Sequence, residues 1–323
     1  MRAGANAENR GGDAWYRPPV AHTERSRDSG VHLGLIFTQL TFGIFPVVGK
    51  GVLAYLDPLI LAGLRVAFAT PILMILAWRL ERVRPSRAQL APLAMLGLLG
   101  VTANQVFYIL GLERTTAGNA GILMPSIPVF AVAAAALLGI EHLTWRRAAG
   151  VGAAVAGALV VLDPMQASLT SDTTIGNALI LANCLSYALY LVLQRPLLRE
   201  LPPLTLVAWA FLFGSVPVLG LAASRLAAVP AHALPGAVWL GIAYIVVIPT
   251  AVNYVISSWA IRRSSPALVA AYSLLQPVVA AGLGVALLGE HAGARELIGL
   301  ALIVGGLTGV SRGAGVRAAP ARG

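Results

Sequence analysis

Residues 58–78 read Pro58-Leu-Ile-Leu-Ala-Gly-Leu-Arg65-Val-Ala-Phe-Ala-Thr-Pro71-Ile-Leu-Met-Ile-Leu-Ala-Trp78, an apolar run broken by one ionised side chain, Arg65. A run of this length crosses a hydrocarbon core of about 30 Å as an α-helix, and the helix is the conformation that satisfies its own backbone polar groups there. Working outward, similar stretches alternate with short polar breaks. Ten spans are expected, at 31–54, 58–78, 89–112, 115–140, 145–162, 174–195, 203–224, 236–261, 265–289 and 294–311. The expected fold class is therefore an all-α integral membrane protein. Composition points the same way, since 58% hydrophobic and 11% charged residues leave too few charges to wet the surface of a soluble domain. Soluble enzymes and nucleic-acid binders are disfavoured on that ground. Cys184 is the only cysteine, which excludes an intrachain disulfide framework and a cysteine-cluster metal site.

The first 30 residues mix arginines with acidic residues and hold no apolar run, so they read as a disordered cytoplasmic tail and not as a signal peptide. With ten spans both tails lie on one side. If that side is cytoplasmic, the inner loops hold Arg79, Arg82, Arg84, Arg87, Arg146, Arg147, Arg195, Arg199, Arg262 and Arg263, against Lys50, Arg114, Arg225 and Arg295 outside. That bias is the positive-inside pattern, and it places both termini in the cytoplasm of a multi-pass cell-membrane protein. Most of the net charge of +10 is thereby a topology signal, not a nucleic-acid surface.

The chain also repeats. A shift of 149 residues pairs Asn104 with Asn253, Pro128 with Pro277, Glu141 with Glu290, His142 with His291, Gly150 with Gly299 and Gly157 with Gly306. A looser match at 145 sets Thr41 against Ser186 and Pro58 against Pro203. The expected organisation is a tail (1–30), a first five-helix repeat (31–162), a linker loop (163–173), a second repeat (174–311) and a C-terminal tail (312–323). Five is odd, so the second copy enters the membrane from the opposite face. Inverted repeats of this kind are the architecture of alternating-access carriers, with a solute site between the halves near mid-bilayer.

The segment Gly111-Leu-Glu-Arg-Thr-Thr-Ala-Gly-Asn-Ala120, with a proline-bearing span and then Gly139-Ile-Glu141-His-Leu-Thr-Trp-Arg-Arg147, resembles the EamA module of the drug/metabolite transporter superfamily. Trp259-Ala-Ile-Arg-Arg-Ser-Ser-Pro266 through Leu288-Gly-Glu290 to Gly306 resembles the same module again. The resemblance covers about residues 31–311 and departs from the family at Ile140, where the family usually keeps glycine before the glutamate. What it implies is an EamA-type permease: a ten-helix secondary transporter, in bacteria commonly an exporter of amino acids, metabolites or toxic compounds.

Polar residues at mid-depth mark interhelical bonds or a wet cavity. The candidates for a substrate cavity are Arg65, Asn104, Gln105, Tyr187, Tyr190, Asn253, Tyr254 and Gln276. For the asparagines the rival reading is interhelical hydrogen bonding, worth about 0.6 kcal/mol apiece. For the tyrosines it is anchoring at the membrane surface. Arg65 either attracts the carboxylate or phosphate of a solute or snorkels outward. Pro128 and Pro277, expected mid-span, are candidate hinges or static kinks. Glu141 and Glu290, expected at span ends, are helix caps or gates. Glu296, at the very start of the tenth span, is the only Asp or Glu within a span, and His142 and His291 are not spaced as a metal pair, so neither a mid-membrane carboxylate relay nor a metal or cofactor is expected. The partners expected are membrane lipid and a small-molecule substrate, with a homodimer left open and nucleic acid excluded. A membrane-embedded enzyme would need paired carboxylates, a histidine cluster or an activated nucleophile inside the spans, and none is apparent.

Overall fold

The structure, a computed structural model, describes residues 29–115, 120, 123–140, 144–162, 171–226, 234–276, 278–279 and 294–313. The chain runs through α1 (Ser29–Leu53), α2 (Pro58–Leu80), α3 (Arg87–Arg114), α4 (Ser126–Leu137), α5 (Trp145–Leu162), α6 (Ser171–Leu197), α7 (Pro203–Leu226), α8 (Gly236–Arg263), α9 (Pro266–Leu275) and α10 (Ala294–Gly313). Among the described residues no strand occurs. Among the described residues six helices, α1–α3 and α6–α8, are long and apolar enough to cross a membrane. Their outer surface is apolar: Leu240 is 74% exposed and Val47 70%, while Gln105, Gln194 and Asn253 are fully buried. Apolar outside and polar inside is the distribution a lipid solvent selects.

Helix ends follow local chemistry. Asp57 caps α2, its Oδ1 accepting from the Leu59 amide at 2.8 Å, with Pro58 at the first helical position where its missing N–H costs nothing. Gly139, at φ 65°, ends α4: the Leu138, Gly139 and Ile140 amides fold back onto Ala134, Ala136 and Ala135 carbonyls. A left-handed residue at a helix C-terminus favours glycine, which accounts for the glycine at 139 rather than 140. Pro128 does not sit mid-helix as expected. The chain turns at Met124–Pro125 and α4 starts at Ser126, so Pro128 occupies the first helical turn, where it removes no helical hydrogen bond. The break in this region precedes it. Pro277, Glu141 and Glu290 lie outside the described residues.

Two helices carry a feature that the sequence did not announce. In α3 the turns at Leu98–Ala103 are π-helical and end on Asn104; in α8 the turns at Val246–Val252 are π-helical and end on Asn253. Wide turns of this kind interrupt the regular hydrogen-bond ladder and re-aim the side chains that follow them.

Packing is closest where glycines meet. α5 lies along α10, and a Cβ on Gly150 would come 2.8 Å from the Gly306 carbonyl oxygen, one on Gly157 2.6 Å from that of Gly299. α2 lies along α7, α3 crosses α6 and α7, and α1 runs against α8 in the opposite direction, with Gly241 against Val52 at one end and Gly34 against Ile256 at the other. The α2–α7 pair is clasped at both ends. At one, Arg225 Nη1 meets the Asp57 carboxylate at 2.6 Å. At the other, Glu81 accepts from the amides of Leu204 and Thr205 and from the Thr205 hydroxyl, capping α7. The second end is the one bearing Arg79, Arg82, Arg84, Arg199, Arg262 and Arg263 and is called the arginine-rich end below.

Candidate functional site

Arg65 sits two turns into α2 from the Asp57 end and turns inward instead of snorkelling, at 3% exposure. Its Nε donates to Thr250 Oγ1 at 3.0 Å, from within the π-helical segment of α8, and its guanidinium lies 4.9 Å from the centroid of the Phe45 ring on α1. Thr250 passes its own proton to the Ile245 carbonyl at 2.6 Å, which leaves its oxygen free to accept. Phe45 in turn stacks on Tyr108 of α3 at 5.4 Å. Among the described residues no carboxylate pairs with Arg65. A buried guanidinium with one neutral acceptor and an aromatic face is stabilised far less than a paired one. It is an attractive position for an anionic group.

One helical turn or two further toward the arginine-rich end lie the asparagines, and their environments differ. Asn253 is fully buried and spent within the bundle: it exchanges hydrogen bonds with Thr41 (2.9 Å from Nδ2, 3.2 Å to Oδ1) and reaches the Thr38 carbonyl on α1. Tyr244 donates to the Thr41 carbonyl beside it. Asn104 is only half-buried; its Oδ1 lies 2.9 Å from the Tyr254 hydroxyl, and its backbone carbonyl accepts from Asn183 Nδ2 at 2.8 Å. Gln276 donates to Gln39 Oε1 at 2.8 Å, tying α1 to the end of α9. Gln105 is fully buried, and among the described residues neither of its amide atoms has a hydrogen-bond partner.

The tyrosines are not surface anchors. Tyr187 and Tyr190 of α6 and Tyr254 of α8 form one cluster in the middle of the bundle, with centroids 5.7–6.2 Å apart, and Phe211 of α7 meets Tyr254 edge-on at 5.0 Å. Tyr190 packs its ring against Gly100 in the π-helical segment of α3, in space that any Cβ there would fill. Tyr254 spans two helices with one hydroxyl, which donates to the Gly100 carbonyl at 2.7 Å and contacts Asn104. Beyond the rings, toward the arginine-rich end, lie Gln194, Ser257 and Ser258. Sequence reasoning brought out Arg65, Asn104 and the tyrosines but missed Phe45, Thr250 and this last group. Single serines, threonines and aromatics are ordinary in membrane helices and carry no sequence signal until the fold sets them beside a charge.

The model of the EamA-like transporter family matches residues 29–163 and again 174–312. The chain belongs to this family. Among curated relatives of this EamA protein, the probable terminal-alkyne amino-acid exporter of Streptantibioticus cattleyicolor is 30% identical over 86% of the present chain and 92% of its own. The WAT1-related protein At3g53210 of Arabidopsis thaliana is 30% identical over 66% of the present chain, which spans 65% of that relative's length. A solved crystal structure superposes with a TM-score of 0.72 at 20% identity, covering 88% of this EamA chain and 98% of that one, a likeness of fold. The EamA protein is thus a multi-pass membrane protein of a transporter family, not of an enzyme family, and a small-molecule solute is implied.

Proposed function

We propose that this protein is a secondary carrier of the cell membrane that moves a small metabolite, amino acid or drug-like solute by alternating access. Two five-helix repeats, 31–162 and 174–311, invert relative to one another and rock about the interior that holds Arg65, Asn104, Tyr108, Tyr187, Tyr254 and Gln276, with both termini cytoplasmic. One observation carries the reading. The shift of 149 residues turns Gly150 into Gly299 and Gly157 into Gly306, and it is Gly150 that packs on Gly306 and Gly157 on Gly299, so each contact becomes the other when the halves are exchanged. That is the signature of a two-fold axis passing between α5 and α10. The π-helical turns before Asn104 and Asn253 support it, since they too exchange under the same shift. So do the helix pairs: α3 on α6 answers α8 on α1, and α3 on α7 answers α8 on α2.

Arg65 breaks this symmetry. Its counterpart at the 145-residue shift is Ala210, so one half brings a cation and the other does not. The solute accordingly carries a carboxylate or another anionic group that meets the guanidinium by a charge-assisted hydrogen bond. The amino-acid exporter named above agrees with such a group, and an outward direction is taken from it. Purified protein in liposomes, loaded with pooled amino acids, nucleosides or sugars, tests the reading: counterflow of a carboxylate-bearing pool is expected. Counterflow of neutral sugars alone would remove the anion, and silence with every pool, in protein that remains folded, would remove the carrier.

A further inference from the structure

The group beyond the aromatic rings has no role in the solute contact made by Arg65, and its chemistry is different. Tyr190, Gln194, Ser257 and Ser258 are all fully buried or within 1% of it, on the facing sides of α6 and α8. Ser258 donates to Gln194 Oε1 at 2.7 Å, while the Tyr190 hydroxyl lies near Ser258 and the Tyr187 hydroxyl near Ser257 without hydrogen-bond geometry. The bonding is incomplete. Tyr190 Oη, Gln194 Nε2 and Ser257 Oγ have no hydrogen-bond partner among the described residues. Each such atom loses its hydrogen bonds to water on burial and gains none in return. Apolar side chains of the same size would pack α6 against α8 without that cost. Three unsatisfied groups on adjoining turns of two facing helices therefore point to polar atoms that they meet in another state of the molecule.

Position defines what those atoms belong to. Along α8, Ser257 lies seven residues past Thr250, the partner of Arg65, which is about 10 Å of helix. The rings of Tyr187, Tyr190, Tyr254 and Phe211 lie between the two places. On the Asp57 side of the rings Asn104 and Tyr108 are half-buried; on the arginine-rich side the cluster is sealed. No ionised side chain belongs to it, and its free valences are hydroxyls and an amide N–H, which suit neither a bare cation nor a bare anion. We propose that Tyr190, Gln194, Ser257 and Ser258 form a second solute station, for an uncharged hydrogen-bonding group such as a hydroxyl or amide, that is shut in this conformation and opens to the arginine-rich end. The inference rests on the carrier reading and deepens it: a solute passes between a cationic station and a neutral one across a gate of aromatic rings.

Thiol labelling tests it without a known solute. In a Cys184→Ala background, which removes the only native cysteine, Ser257→Cys, Gln194→Cys and Asn104→Cys are introduced singly into full-length protein carrying a C-terminal fluorescent tag that reports insertion. Right-side-out and inverted vesicles are treated with three membrane-impermeant methanethiosulfonates bearing a hydroxyl, a sulfonate or a trimethylammonium group, each rate being divided by that reagent's rate with a free thiol. Ser257→Cys and Gln194→Cys are expected to react only from the face carrying the arginine-rich loops, the hydroxyl reagent about tenfold faster than either charged one. Asn104→Cys, near Arg65, is expected to favour the sulfonate over the trimethylammonium. Reaction of both station variants from the opposite face, equal rates with all three reagents, or inertness of both beside a reactive Asn104→Cys would overturn the station. An unreactive Asn104→Cys beside reactive station variants would instead count against the interior around Arg65 and support the station alone.

Discussion

Arg65 shows how one side chain acquires meaning from its neighbours. Its carbons and charge alone leave anchoring and binding equally open, whereas the inward turn, the Thr250 bond and the Phe45 ring leave a cation with no countercharge among the described residues. Arg65→Ala is expected to abolish transport while the protein still inserts and elutes as a folded species; Arg65→Lys, which keeps the charge but loses the planar fork over Phe45, should retain part of the rate. Normal transport by the alanine variant would take the residue out of the site. Tyr254 offers a stability test at the same scale. Its hydroxyl donates to Gly100 and contacts Asn104, so Tyr254→Phe should lower thermal stability in detergent by about 1–2 kcal/mol, with the ring packing against Phe211 kept.

At the scale of elements, helix pairs are set by how closely backbones approach. On α5, Gly157 faces the Gly299 backbone and Gly152 faces open space. Gly157→Ala is therefore expected to cost about 1–3 kcal/mol and reduce the folded fraction on size exclusion, while Gly152→Ala is neutral or mildly stabilising. The Asp57 end of the α2–α7 pair carries a pH dependence. Burial raises the affinity of the Asp57 carboxyl for its proton, but the hydrogen bonds and charge of Arg225 and the Leu59 and Ile60 amides outweigh it, leaving the carboxyl below its ordinary value. A lowered native pKa contributes stability above the ordinary aspartate value of about 3.9, and that contribution is lost as pH falls through the lowered value. Side chains 49% and 36% exposed make the ion pair itself worth little, so most of the loss in Asp57→Ala, about 1 kcal/mol, is the helix cap. A thermal shift of the variant that persists in high salt at neutral pH and vanishes in acid is the expected result.

For the molecule as a whole, the proposed inversion, under which the Gly150–Gly306 contact exchanges with Gly157–Gly299, places the chain ends on the same side of the bilayer. Tags at residues 1 and 323 should both be digested by protease only in inverted vesicles. Protection of one end alone would break the inverted arrangement. Symmetry is nonetheless incomplete where it matters for chemistry. Asn104 and Asn253 correspond in sequence, yet one borders the tyrosines half-buried and the other is consumed by Thr41 and Thr38. In the proposed carrier the halves therefore share a frame and divide the work.

The sequence by itself determined the solvent and the helices. A run such as residues 58–78 has one viable conformation in lipid, and length, proline and charge mark its ends, so the helix limits of α1, α2, α5 and α7 were legible within a few residues. The duplication was legible as well, because glycines and asparagines recur at a constant spacing whatever their contacts. Only the tertiary structure decided what each polar residue does. Whether Tyr190 anchors a surface or seats on Gly100, whether Pro128 bends a helix or begins one, and whether Arg65 meets water or Phe45 depend on rotation about helix axes and on π-helical turns that shift that rotation mid-helix. A hydropathy pattern records that a residue lies in a span; the direction it faces is set by the helices packed around it.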